Sequence, residues 1–411
     1  MSIHILRAAA FAAALLPPGW AVAAPISLDQ ALEIAVERSR TTLAARAGSL
    51  SALEMARAAG QQPDPMLSVG VDNLPVTGRD RFSSTAEEMT MKRVGVSQEW
   101  VGADKRAARE AVARAVMSRE SAMEKFAAAE TRLQTALAYV DAYYAGELLK
   151  LAALNEMHAH EELAAGKGRL ATVSGNSSEV LALTSAIGGA EDESRSLGQQ
   201  QSAATVALLR WTGLRIDEPE VPRLALLPLE DAYVSAHPAV IARTLDIDVA
   251  RREVQAAALN RRPNWTYEVS YGQRQGRPDL ISVAVRIPLP VAPAARQDRE
   301  TAARQALLDK AEAELEEARR AAAGEYAALV SDAERLQERI GRFEAAVLAP
   351  LRQRTATTLA SYRSNQSSLA MLFESRHAEL EAQRKLLGLE RELARARAQV
   401  VFKPIRTGVA P

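Results

Sequence analysis

Residues 61–75 read QQPDPMLSVGVDNLP, and residues 89–100 read MTMKRVGVSQEW. A second stretch of the same kind follows half a chain later, with RRPNWTYEVSYG at 261–272 and DLISVAVRIPLP at 279–290. Each copy predicts two short strands that lead into a long helix. Because the unit occurs twice, the chain must first be interpreted as an internal repeat.

The strands of both copies alternate apolar and polar residues, and they are predicted at about 66–73, 91–100, 265–272 and 279–289. In the second copy, Val269 and Tyr271 would face one side, while Glu268 and Ser270 face the other. An outer-membrane strand requires this alternation, with lipid on one face and water on the other. A half-buried sheet in a soluble domain alternates equally well, so the strands alone leave both alternatives open.

The N-terminus predicts an exported protein. Residues 1–23 have the organisation of a secretory signal peptide: Arg7 supplies the positive charge, Ala8–Leu16 is apolar, and Ala21 and Ala23 fit a cleavage site after Ala23. A transmembrane anchor is less favoured because the apolar run is short. The chain contains no Cys, which excludes a disulfide framework and a lipid-anchored cysteine.

The composition favours long, closely packed helices. Hydrophobic residues make up 48% of the chain but aromatic residues only 4%, because Ala, Leu and Val dominate. The formal net charge is zero, which gives no indication of nucleic acid or an anionic surface as partner.

The chain is predicted to contain two tandem helix–strand–strand–helix–turn–helix repeats, at 24–212 and 230–401. A Pro-rich connector, 213–229, joins them, and a tail, 402–411, follows. The helical pattern predicts long helices at 28–59, 103–165, 179–211 and 230–262. A further helix follows the second pair of strands and is expected to be interrupted at Pro350, and a last helix ends near Val401. The tip turns are predicted at 173–178 and 362–368.

A heptad seam marks the helix of the second repeat and predicts antiparallel coiled coils. The C-terminal part of this seam comprises Tyr326, Leu329, Ala333, Leu336, Ile340, Phe343 and Val347.

This pattern resembles the TolC-like outer-membrane efflux factors over nearly the whole mature chain. The stretch DPMLSVGVDNLPVTG (64–78), followed by residues 89–100, is similar to the heavy-metal branch, the partners of copper/silver or cobalt/zinc/cadmium pumps. The chain departs from some relatives in lacking a lipid-anchor cysteine.

The resemblance implies a mainly α fold with a small β part, in which each chain contributes four strands to a shared trimeric transmembrane β-barrel. The physics agrees, because four strands cannot close a barrel, for which about eight is the usual minimum. Open sheet edges are not tolerated in lipid. The strand count alone would also allow a dimer. Trp100 and Trp265 are expected at the periplasmic boundary, although packing at a strand–helix corner would explain them equally well.

The implied function is a passive homotrimeric duct in the outer membrane of a Gram-negative bacterium, with a large periplasmic helical part. It would carry heavy-metal cations from a periplasmic adaptor and a proton-driven inner-membrane pump of the RND type. One alternative is the same duct exporting organic compounds or drugs. Another is a soluble periplasmic coiled-coil scaffold.

No catalytic, cofactor or metal site is predicted, so an enzyme is not expected. His158 and His160 are two residues apart and diverge on a helix, unlike an i,i+4 chelating pair. Met89 and Met91 could contact a soft metal such as copper, although filling space at a strand start is the commoner role of such residues.

The resemblance places the adaptor contact at the two helical tips. The residues concerned are Gly175, Asn176 and Ser177 in the first tip and Ser364, Asn365 and Gln366 in the second. Local capping of a helix-turn-helix by Ser and Asn is compatible with this role.

The resemblance also implies a periplasmic gate of acidic residues just after each tip, in a D-V-L-D-like run. Glu179 falls on the first acidic position of the first copy. In the second copy, Ala370 and Phe373 stand where acids are expected, and Glu374 lies one place on. This departure puts a gate of two acidic rings in question. We therefore expect Glu179 to form a ring of three carboxylates, with Glu374 as the weaker candidate; the alternative is a first-turn acid favoured by the helix dipole.

Overall fold

The computed structural model describes residues 26–171, 177–364 and 366–405. The predicted signal peptide lies outside these ranges. The helices are α1 Leu28–Arg38, α2 Arg40–Ala59, α3 Ala103–Leu170, α4 Ser177–Thr212, α5 Glu230–Ser235, α6 Pro238–Ala258, α7 Gln297–Phe343, α8 Ala349–Arg363 and α9 Leu369–Phe402. The strands are β1 Met66–Asp72, β2 Met91–Trp100, β3 Trp265–Arg274 and β4 Leu280–Arg286.

The predicted fold class, mainly α with one small sheet, is confirmed by this element order. Helix α3 has 68 residues, which at about 1.5 Å per residue gives a length of roughly 100 Å. It packs against α2 and α4, while α7 packs against α6 and α9. No helix within the described ranges is long and apolar enough to cross a membrane.

The main core lies where α1, α3, α4 and α9 meet. Its centre is Tyr139, which is fully buried and whose hydroxyl donates to the carbonyls of Ile26 at 2.7 Å and Glu220 at 3.0 Å. Burial raises the pKa of Tyr139 to about 12. Because Glu220 belongs to the connector, this side chain ties the link between the repeats to the first long helix. The cluster also contains Leu28, Leu32, Leu133, Ala136, Leu208, Ile216, Ala398 and Phe402.

Two helices predicted as continuous are interrupted. The segment 28–59 is divided at Ser39, whose backbone is extended and whose Oγ accepts from the amide of Thr42 at 3.2 Å. A serine that caps a new helix in this way satisfies an otherwise unpaired amide. The segment 230–262 is divided before Pro238, which begins α6 because it has no amide hydrogen to donate.

Pro350 does not end its helix, contrary to expectation. A π-helical segment, Glu344–Leu348, precedes it, and the chain stays helical from Gln297 to Arg363. A wider turn accommodates a proline whose ring would clash with the carbonyl four residues earlier. It also adds one residue to the heptad step after Phe343. The next seam residue is therefore Leu348, which is 1% exposed, whereas the predicted Val347 is 38% exposed.

The four strands form one antiparallel sheet in the order β1-β2-β3-β4. Strand β4 ends at Arg286, earlier than predicted, because Pro288 and Pro290 follow and cannot donate to a neighbouring strand. Among the described residues, the outer edges of β1 and β4 have no strand partner.

Candidate functional site

One face of the sheet is mainly apolar and takes apolar residues from all four strands, with Lys92, Gln98 and Gln273 toward its ends. The register pairs Val69 with Val94, Val96 with Val269, and Val269 with Val283, so the alternation of each strand is in phase with its neighbours. Val69 and Val283, on the two outer strands, are each 74% exposed. The face comprises Leu67, Val69, Val71, Val94, Val96, Tyr267, Val269, Tyr271, Ile281, Val283 and Val285.

The opposite face is polar and has small residues at its centre. Gly95 lies between Ser68 and Ser270. A Cβ at Gly95 would lie 2.8 Å from the Cβ of Ser270 and 2.9 Å from the Oγ of Ser68, closer than packed atoms allow. Glycine is therefore required here because the side chains of both neighbouring strands close over it.

Four charged side chains cross the polar face, one from each strand. Arg93 lies 3.5 Å from Asp72 and 3.5 Å from Glu268, and Arg286 lies 2.5 Å from Glu268. Glu268 is only 7% exposed, and it is compensated by an arginine on each side. A buried carboxylate needs such partners because its desolvation is costly. The charges of this ladder (Asp72, Arg93, Glu268 and Arg286) balance.

The two tryptophans pair across β2 and β3, where the strands meet the long helices. Trp100 is opposite Trp265. Polar contacts hold this junction: the Asn264 amide nitrogen donates to Glu99 at 2.7 Å, and the Lys105 ammonium donates to Asn264 at 3.0 Å. The strands are thereby fixed to the start of α3.

The two methionines near the β2 start differ in surroundings. Met89 is exposed, whereas the side chain of Met91 lies over Gly272, where an added Cβ would meet its sulfur at 2.8 Å. Met91 therefore fills space above a glycine.

The two tips lie at the same end of the molecule. Leu183 of α4 packs with Leu369 and Leu372 of α9 in one buried cluster. Gly166 of α3 completes the approach, because a Cβ there would lie 2.8 Å from a methyl carbon of Leu183. The structure therefore brings together the helix ends that flank the two predicted tips, which are far apart in sequence.

Of the predicted tip residues, Gly175, Asn176 and Asn365 lie outside the described ranges. Ser177 begins α4 and is exposed. Ser364 directly follows α8 as its C-cap, and the amide of Gln366 donates to the carbonyl of Ser361 at 2.8 Å.

The two predicted gate residues have different settings. Glu179 lies in the first turn of α4, but its side chain is not among those described. Glu374 lies on α9 with its side chain 70% exposed, and it pairs with Arg354 of α8 at 3.0 Å. Arg354 balances the charge of Glu374, which weakens this residue as a gate carboxylate.

A buried ion pair lies near the tips and was not predicted from the sequence. It links the first helical hairpin (α3 and α4) to the second (α7, α8 and α9). Glu162 of α3 is 4% exposed and accepts from Arg376 of α9 at 2.9 Å. Burial raises the pKa of Glu162, with Arg376 acting in the opposite direction. Asp141 of α3 also pairs with Arg391 and Arg395 of α9, farther from the tips. No local pattern identifies these pairs, because their members are more than two hundred residues apart.

The comparisons with known proteins concern the fold. The chain is similar to the outer-membrane channel CmeC of Campylobacter jejuni, with a TM-score of 0.75, 12% identity, and coverage of 92% of this chain and 85% of that one. It is similar to the MtrE channel of Neisseria gonorrhoeae, with a TM-score of 0.75, 16% identity, and coverage of 92% and 88%. It is also similar to CusC, a protein that forms a transmembrane channel, with a TM-score of 0.74, 13% identity, and 92% coverage of each chain.

No protein-family model matches the chain, and the search of curated proteins gives no match. The similarity therefore rests on three-dimensional structure over nearly the whole described chain. The chain has the fold of the TolC-like outer-membrane efflux channels.

The Glu162–Arg376 pair should be needed for stability at neutral pH. Arg376→Ala leaves a buried carboxylate without its partner, which costs about 3–5 kcal/mol. Because the pKa of Glu162 is raised in the folded state, its protonated form favours folding, and this contribution is lost as pH rises through the raised pKa. Thermal unfolding of Arg376→Ala should therefore show a deficit at about pH 7.5 that shrinks at about pH 5.

Arg384→Ala is the matched control, because Arg384 also joins α9 to the first hairpin, through Glu193, but is half-exposed. It should cost about 0–1 kcal/mol. A deficit in Arg376→Ala that is equally large at both pH values would contradict the assignment to Glu162.

Proposed function

We propose that three copies of this chain form a passive channel across the outer membrane of a Gram-negative bacterium, with the long helices extending into the periplasm. The observation that carries the proposal is the sheet. Its apolar face is exposed on every strand, and its two edge strands lack partners within the described part of the chain. An exposed apolar face of this kind marks a contact with lipid or protein.

Closure requires strands from other copies. Edge groups unpaired in lipid cost several kcal/mol each, so β1 of one copy would pair with β4 of the next. Three four-stranded sheets give a twelve-stranded barrel, within the range of bacterial outer-membrane barrels, about 8 to 26 strands. The apolar face would then contact lipid and the charge ladder would line the lumen. A soluble coiled-coil scaffold has no use for this apolar face.

The proposed cargo is heavy-metal cations, delivered by a periplasmic adaptor and a proton-driven inner-membrane pump of the RND type. Support comes from the likeness of residues 64–78 and 89–100 to the heavy-metal branch. Export of organic compounds through the same duct is the alternative. Deleting the gene should sensitise cells to copper, silver, cobalt, zinc or cadmium; sensitisation to organic compounds alone would favour the alternative. The channel itself is proposed to have no enzymatic activity.

Adjacent residues on β4 test the barrel. Val283→Arg should weaken the assembled barrel by about 2–4 kcal/mol, because it places a charge in lipid. Ser282→Arg, on the polar face, should be tolerated. Ser282 is the better control than Ser270, because Ser270 is buried against Gly95. The measurement is heat-resistant trimer on gels of outer-membrane fractions, and equal damage by the two variants would contradict the proposed orientation.

The tips are proposed to contact the adaptor through Gly175, Asn176 and Ser177 and through Ser364, Asn365 and Gln366. A photo-crosslinking amino acid at Ser177 or Ser364 should capture the adaptor in cells, whereas one at Arg251, an exposed residue of α6, should not. Bulky charged substitutions at Ser177 should abolish export while leaving trimers intact. Failure of both tip positions to capture any protein in a strain that exports normally would overturn this contact.

The gate is proposed to be a ring of three Glu179 carboxylates around the channel axis. Such a ring would concentrate cations and repel anions. In single-channel recordings, Glu179→Gln should weaken both cation selectivity and block by divalent ions from the periplasmic side. Glu374→Gln is the comparison, and it should have little effect because Arg354 already balances that charge. If selectivity and block are lost only in Glu374→Gln, the ring belongs to the second copy; if neither variant changes them, the acidic gate is wrong.

A further inference from the structure

Three potential metal ligands converge on the pair of helices α3 and α4, away from the sheet and the predicted gate. Glu156 and His160 are four residues apart on α3 and therefore share one face of the helix. Glu191 of α4 reaches the same point from the neighbouring helix. One ligand atom from each of the three residues lies within 4.8 Å of the other two. The imidazole Nε2 of His160 lies 3.6 Å from Oε1 of Glu191.

The helices beneath these side chains are firmly packed. Ala159 and Ala190, which directly precede His160 and Glu191, are buried together with Ile187. Their small side chains let the two backbones approach closely. The backbone positions of His160 and Glu191 are thus held by a hydrophobic contact that does not depend on a bound ion.

The second oxygen of Glu191 has its own partner. Oε2 lies 3.7 Å from the guanidinium of Arg195, one turn farther along α4, while Oε1 faces His160. This ion pair is exposed and therefore weak, but it engages Oε2 and leaves Oε1 free to face His160. It also offsets part of the repulsion between Glu191 and Glu156.

The ligand set suits a transition metal better than an alkaline-earth ion. Imidazole and carboxylate together are typical of zinc, whereas magnesium and calcium prefer oxygen ligands alone. In a tetrahedral site with bonds of about 2.0–2.1 Å, ligand atoms are about 3.3 Å apart. The 3.6 Å between His160 and Glu191 is close to this value, and Glu156 lies within 4.8 Å of both, so side-chain rotations alone would close the site. His160 is exposed, which leaves room for water as a fourth ligand.

We propose that Glu156, His160 and Glu191 bind a divalent transition-metal cation of the zinc class and thereby bridge α3 to α4. The site lies ten residues before the end of α3, about 15 Å from the tip. A metal there would cross-link the first hairpin close to the proposed adaptor contact. The proposal does not depend on the channel function, because it rests on the packing of the two helices alone.

The chain provides a matched control two residues away. The Nδ1 of His158 lies 3.3 Å from Glu161, and His158 is not part of the cluster. In full-length protein purified in detergent, with any polyhistidine tag removed, equilibrium dialysis against Zn²⁺ should give one bound ion per chain that excess Mg²⁺ does not displace. His160→Gln should weaken this binding at least about tenfold, since even supporting residues of metal sites commonly contribute that much. His158→Gln should bind as the wild type does.

A second variant tests the bridge itself. Glu191→Gln should also weaken Zn²⁺ binding and should abolish the rise in thermal unfolding temperature that Zn²⁺ produces in the wild type. Unchanged zinc binding in His160→Gln, or an equal loss in His158→Gln, would overturn the site. Unchanged binding and stabilisation in Glu191→Gln would overturn the link between α3 and α4.

Discussion

The structure depends on a sheet whose two edges are open within the described part of the chain. Its four strands pair with each other, but the edges of β1 and β4 expose backbone groups that need partners. One face is mainly apolar, with exposed apolar residues from every strand, so water is a poor solvent for it. These two properties are the basis of the proposed barrel, in which lipid would cover the apolar face and strands of other copies would pair with the edges.

In the helical part, the two helical hairpins are held together without a thick hydrophobic core. Small residues at the helix contacts allow close approach, and ion pairs add specific links between the hairpins. Most of these pairs are partly exposed and contribute little each. Glu162–Arg376 differs because its carboxylate is buried, so the alignment of α3 and α9 matters most near the tips.

The sheet was predictable from sequence because alternation with period two specifies both the strands and their faces. The long helices were predictable because a heptad repeat likewise specifies both the helix and the face that it buries. The interruptions at Ser39 and Pro238 were not predicted, because a cap or a proline is a local choice that tertiary packing can favour or override. The pairs that join α3 to α9, and the meeting of His160 with Glu191, depend on which helix lies beside which. Glu156 lies one turn before His160 on the same helix face, but the cluster is completed only by Glu191 of the neighbouring helix.

The π-helical segment has a mechanical consequence. It takes up one extra residue by a change of pitch, so the apolar seam faces α9 both before and after it. The helix consequently remains one continuous strut from Gln297 to Arg363, about 100 Å in length. A helix that contains no loop transmits an axial displacement or a rotation from one end to the other. A displacement at the tip would therefore reach the junction with the sheet, rather than being absorbed by a flexible joint at Pro350.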